Sequence, residues 1–160
     1  MMNSETNHGP LIAAGTALGI GMGGFVDGIL FHQILQLHNM LSAVRPPSTL
    51  VNAEINMFWD GLFHAFTWLM TAAGIALLWR AMKRSRGPLS TKTFVGSLML
   101  GWGLFNLVEG IIDHHVLGIH HVVEGPGHLP YDLAFLASGA LLIAIGAALV
   151  RGDEGRPRIR

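Results

Sequence analysis

The sequence predicts an all-α protein, an integral membrane four-helix bundle made of two repeated helical hairpins. Three observations predict it. Hydrophobic residues make up 51% of the chain and charged residues only 12%, against roughly 25% charged in an ordinary soluble domain. Lysine and arginine gather in 80–92 and 151–160, and the apolar stretches between them are too long for ordinary core helices. Finally, one polar segment of the chain repeats another.

Helix 1 is expected over about Leu11–Leu41, helix 2 over about Ala53–Met82, helix 3 over about Thr91–His121 and helix 4 over about Tyr131–Val150. Each reaches the roughly 20 residues that cross a bilayer. Arg45-Pro46-Pro47, Arg86-Gly87-Pro88 and Glu124-Gly125-Pro126-Gly127 break the chain between them. The 160 residues suit a single transmembrane domain, 1–160, with repeat halves at about 11–85 and 91–151.

Arg80, Lys83, Arg84, Arg86 and Lys92 lie in or beside the connection of helices 2 and 3, and Arg151, Arg156, Arg158 and Arg160 lie in the tail. The positive-inside rule places both regions, and both termini, in the cytoplasm. The other two loops then face outward with Arg45 as their fixed positive charge. The expected location is a bacterial inner membrane, crossed several times. Met1–Pro10 is polar and has no basic n-region, so helix 1 is expected to be a retained anchor. A net charge of zero gives no reason to expect a nucleic-acid partner. The absence of cysteine excludes disulfides, thiolate metal sites, iron–sulfur clusters and cysteine nucleophiles.

The repeat aligns Asp27-Gly28-Ile29 through His32 to His38 with Glu109-Gly110-Ile111 through His114 to His120, without gaps. Helices 2 and 4 match more weakly, through Phe58-Trp59-Asp60 and Pro130-Tyr131-Asp132. Repeats of two helices have parallel topology, so the halves should be related by a pseudo-twofold axis along the membrane normal. Gly15, Gly19 and Gly23 form a ridge at a spacing of four that permits close helix packing. That face is a candidate contact for a homo-oligomer within the lipid bilayer, and it turns Asp27 toward a neighbouring helix.

Ionisable groups within a membrane cost about 2.5–3.5 kcal/mol each on insertion scales and usually mark function. At about 1.5 Å per residue, Asp27, Asp60, His64 and Glu109 all fall in the outer half of a core about 30 Å thick. On continuous helices, Asp27 and His38 would share a face three turns apart, and Asn106, Glu109, Asp113 and His120 would form one stripe. The candidate ligand pool is Asp27, His32, His38, Asp60, His64, Glu109, Asp113, His114 and His120. Imidazole and carboxylate together suit Zn, Cu(II), Fe or Mn, and facing helices of a bundle can hold one or two such ions. Spare carboxylates would orient the imidazoles from behind.

The expected function is therefore a membrane metalloprotein holding one or two transition-metal ions (Zn, Cu or Fe) in the outer half of the bundle. Whether it is an enzyme stays open: an open coordination position would activate water or oxygen, a closed site would store or deliver metal. Two alternatives remain. One is a b-type haem protein with axial histidines. The other is a metal-free proton relay or pH-sensing, channel-like protein. His8 and His128 read as ordinary core or interface residues, Asp132 as a helix cap, and His115 and His121 as interfacial.

Asp27-Gly-Ile-Leu-Phe-His-Gln, Asp60-Gly-Leu-Phe-His and Asn106-Leu-Val-Glu-Gly-Ile-Ile-Asp-His-His together resemble a family of predicted four-helix bacterial membrane proteins, a domain of unknown function. The resemblance covers nearly the whole chain. It implies a membrane location and no established activity.

Overall fold

The computed structural model describes residues 8–85 and 87–154. Among them the regular structure is helical throughout. Helix α1 (Gly9–Phe25) continues without a break into a π-helical segment, Val26–Ile34. Helix α2 is Leu50–Arg84. Helix α3 (Thr91–Glu109) again continues into a π-helical segment, Gly110–Val116. Helix α4 is Leu129–Glu154.

Local sequence explains the ends. Pro10 stands in the first turn of α1, where its missing N–H is no loss. The Thr49 and Ser90 hydroxyls cap α2 and α3 by accepting from the N–H groups of Asn52 and Thr93. Lys83 and Arg84 close the last turn of α2, where the helix dipole favours cations.

Four segments are long and apolar enough to span a membrane: Gly9–Ile34, Leu50–Arg84, Thr91–Val116 and Leu129–Asp153. The chain is thus a multi-pass membrane protein. At 35 residues, α2 is about 52 Å long and overshoots a hydrocarbon core about 30 Å thick.

The helices pack in the order α2, α1, α3, α4: α1 contacts α2 and α3, and α3 contacts α4. All three interfaces are built on glycine. A Cβ at Gly19 would collide with the Leu98 carbonyl, and one at Gly101 with the Thr16 carbonyl. Gly21 and Gly24 lie against Thr71 and Thr67 of α2, and Gly96 and Gly103 against Gly146 and Gly139 of α4. Without a hydrophobic force between helices in lipid, this close backbone approach supplies the packing energy. The Gly15, Gly19 and Gly23 ridge is covered by α3 within the chain. It therefore does not face outward as a contact for a second copy. Phe58, Trp68, Leu69 and Ile75 of α2 are exposed, as lipid-facing residues should be.

Helices 1 and 3 end earlier than the sequence predicts. The expected ends, Leu41 and His121, lie well beyond Ile34 and Val116. Gln36 and Gly118 turn the chain with φ of 50° and 56°, a left-handed conformation that no helix continues through. His38 and His120 therefore stand on loops. The single-helix stripes that joined Asp27 to His38, and Asn106, Glu109 and Asp113 to His120, are not the arrangement found. Thr93 lies beside both His8 and Asp153, so both ends of the described chain share one end of the bundle. The two histidine loops occupy the other.

Candidate metal centre

The π-helical segments decide which side chains meet. In an α-helix, residues five apart point about 140° away from each other. A π turn bonds each N–H to the carbonyl five residues back, as Leu35 does to Leu30 and Leu117 to Ile112, both at 2.8 Å. That winding brings residues i and i+5 to one side. Asp27 and His32 are such a pair, with Oδ2 and Nε2 3.0 Å apart, and Glu109 and His114 are another. The turns at Gln36 and Gly118 then return the chain, so that His38 Nε2 lies 3.7 Å from Asp27 Oδ1 and His120 Nε2 lies 3.5 Å from Glu109 Oε1. The His38 and His120 rings stack across the molecule, centroids 4.9 Å apart and planes at 13°.

The imidazoles are oriented from behind. His32 Nδ1 is 3.0 Å from Asp60 Oδ1. Asp60 is itself fixed by the Asn39 side-chain amide at 2.9 Å and the Met40 N–H at 2.8 Å. His38 Nδ1 donates to the Val122 carbonyl at 2.9 Å, and His120 Nδ1 donates to the Met40 carbonyl at 3.2 Å. A carbonyl only accepts, so Nδ1 carries the hydrogen in both rings and Nε2 of the neutral ring is a bare lone pair. His114 is the exception: its Nδ1 lies 3.3 Å from Asp132 Oδ1 but makes no hydrogen bond.

The atoms turned inward have no hydrogen-bond partner. They are Asp27 Oδ2, the Nε2 atoms of His32, His38, His114 and His120, and both Glu109 oxygens. All six residues are at most 4% exposed. The 3.0 Å approach of His32 Nε2 to Asp27 Oδ2 is close, yet it lacks hydrogen-bond alignment. Donors sharing one tetrahedral ion sit at a similar separation, roughly 3.3 Å for bonds of about 2.0–2.1 Å. Two overlapping groups have donor atoms all within 4.8 Å of one another: His32, His38 and His120, and Glu109, His114 and His120. His120 belongs to both. Burial, reinforced by the neighbouring His38 and His114 imidazoles, pushes its pKa down to about 3, so it is neutral and able to coordinate.

Of the nine residues singled out in the sequence, Asp27, His32, His38, Glu109, His114 and His120 converge. Asp60 stands behind His32. His64 is turned aside: its Nδ1 donates to the Asp60 carbonyl at 2.7 Å, and its Nε2 faces Gly28, where a Cβ would come within 2.7 Å. Asp113 is half-buried and lines a groove of about 440 Å³ with Trp59, Phe63, Phe66, Phe105 and Glu109. Phe63 also stacks on His32, centroids 5.6 Å apart. Asp132, outside that pool, is 1% exposed and organises the second half of the site. It accepts from the Val122 N–H at 2.9 Å and from His121 and His128 at 2.8 and 2.9 Å. Its alignment with Asp60 was the available signal, and the cap reading obscured it.

Fold and site define a class: a multi-pass helical membrane protein whose polar interior gathers imidazoles and carboxylates that could hold metal. Within that class the chain belongs to the predicted membrane protein family DUF2243, whose model matches residues 14–153. No curated protein and no solved structure matches it.

Proposed function

We propose that the protein is a membrane metalloprotein holding two first-row transition-metal ions. His32 and His38, with Asp27 oxygens 3.0 and 3.7 Å from their Nε2 atoms, would hold one, and Glu109, His114 and His120 the other. The observation that carries this reading is the set of rings held at Nδ1 with Nε2 buried beside a carboxylate and without a hydrogen bond. Metal-bound histidines almost always donate the other ring N–H to a carboxylate or carbonyl. Bare lone pairs in a dry interior are otherwise costly. Two histidines and one carboxylate per ion suit Fe(II) or Zn and leave coordination positions open. A bound ion there would supply Lewis acidity and an activated water.

The matching of contacts supports a repeat about a pseudo-twofold axis. Residues 27 and 109, 32 and 114, 38 and 120, and 40 and 122 are each 82 apart. His38 bonds the carbonyl of 122, and His120 bonds that of 40. Met40 N–H bonds Asp60, and Val122 N–H bonds Asp132. The charge distribution supports an outward-facing centre in a plasma membrane, with both termini cytoplasmic. A b-type haem is less well supported, because neighbouring imidazoles lie 4.4–4.9 Å apart between centroids and acids fill the rest of the layer.

Elemental analysis of the detergent-purified full chain tests the proposal, with His32→Asn/His114→Asn as the control. The expected result is up to two equivalents of Fe, Zn or Cu, reduced in the variant while the helical circular dichroism is kept. Folded protein that carries no metal and gains no thermal stability from added Fe(II), Zn(II) or Cu(II) would overturn it.

A further inference from the structure

The loop between α3 and α4, together with the first turn of α4, holds a further group of donors. His121 Nδ1 and His128 Nδ1 both lie on one oxygen, Asp132 Oδ2, at 2.8 and 2.9 Å. Their rings stack with centroids 3.6 Å apart and planes at 25°. The other oxygen, Oδ1, is held by the Val122 N–H and lies 3.3 Å from His114 Nδ1. The side chains of His121 and His128 are 16% and 34% exposed, so water reaches this group. One carboxylate separates it from the inner cluster.

The first half of the chain shows what this corner needs structurally. Asn39 stands 82 residues before His121, and Asn56 stands 72 before His128, as Asp60 does before Asp132. Asn39 donates to Asp60 Oδ2 at 2.9 Å, just as His121 does to Asp132 Oδ2. Asn56 accepts from the Leu41 N–H and donates to the Arg45 carbonyl. Two amides are thus enough to hold the carboxylate and its loop. The imidazoles add lone-pair nitrogens that an amide lacks.

We propose that His121, His128 and Asp132 form a separate, water-accessible site for a divalent transition-metal ion, through which ions pass to the inner cluster. The three donor atoms lie within 4.8 Å of one another, and the imidazole–carboxylate set suits Zn(II), Cu(II) or Ni(II). Water would complete the coordination shell on the exposed side. The Val122 N–H keeps Asp132 in place when Oδ2 turns from hydrogen-bond acceptor to ligand. The outer site stands on its own geometry. Transfer inward rests on the metal-centre reading above.

The experiment is equilibrium dialysis of the full chain in detergent against Zn(II). It compares wild type, His121→Asn/His128→Asn, the inner variant His32→Asn/His114→Asn, and all four substitutions together. The two asparagines copy those of the first half, so the fold should survive. Wild type should bind one ion more than the outer variant, and the inner variant one more than the quadruple variant. The second difference reports the outer site even if the inner cluster binds nothing. Inner loading should be several-fold slower in the outer variant, at unchanged final inner occupancy. Equal stoichiometry with and without His121 and His128 would overturn the site, and equal loading rates would overturn the transfer. Should the outer variant fail to fold, mass spectrometry of diethylpyrocarbonate-treated wild type decides: Zn(II) should protect His121 and His128 at least several-fold, and unchanged modification would overturn the proposal.

Discussion

Asp60 stands behind the His32 ring rather than among the inward-turned donors, yet it sets that ring's orientation. It holds His32 Nδ1 at 3.0 Å and is itself held by Asn39 and Met40. Asp60→Asn should weaken metal binding roughly 10–100-fold, the usual effect of losing such a partner. Isothermal titration with Zn(II) would read it, and an unchanged affinity would remove Asp60 from the site's support. His120 makes a different prediction. Its pKa is about 3 when folded against 6.5 ordinarily. Between those values the unfolded chain binds the extra proton, so the stability of metal-free protein should fall as pH drops through that range. Denaturation midpoints at pH 7.5 and 5 should show the fall, and His120→Asn should show a smaller one. At this scale much was legible in the sequence. Intramembrane acids and histidines are few and expensive, so listing them nearly lists the cluster. Asp132 escaped because an acid opening a helix is ordinarily a cap.

The π-helical ends of α1 and α3 determine how those residues meet, and α-helical phase could not reveal them. Asp27 and His32 are five apart, which in α-helical geometry points them to different neighbours. Only the wider turn brings them to 3.0 Å. Helix ends were misplaced for the same reason: the apolar pattern runs on past Ile34 and Val116, and neither Pro nor a glycine pair marks the stop. Gln36 and Gly118 make the stop at φ of 50° and 56°. A side chain there costs about 1–2 kcal/mol relative to glycine. Gly118→Ala should therefore lower stability by about 1 kcal/mol and Gln36→Gly should raise it, as read from thermal unfolding in detergent. The opposite signs would place these turns elsewhere.

Among the described residues the buried acids and histidines gather at one end of the bundle and, Arg45 apart, the lysines and arginines at the other. The four spans follow from hydropathy, which acts over many residues and tolerates misplaced ends. The order α2, α1, α3, α4 was not legible, because it depends on which glycine ridges face each other. Sidedness is open to direct measurement, since the chain has no cysteine. Ser48→Cys should react with a membrane-impermeant maleimide on intact cells, and Ser85→Cys only after permeabilisation. The reverse pattern would put the centre on the cytoplasmic side.

The crossed bonds of His38 to Val122 and His120 to Met40 carry one more consequence. Contacts in which one partner's first element meets the other's second, and the converse, are what an isologous twofold interface contains; here both bonds lie within a single polypeptide. Neither segment aims its own loop histidine, because the accepting carbonyl belongs to the other. A hairpin expressed alone would hold its acid and its first imidazole but leave the second unaimed. Whatever changes the seam between the two segments therefore changes the polar layer as well, since each loop histidine is aimed by the other segment's backbone.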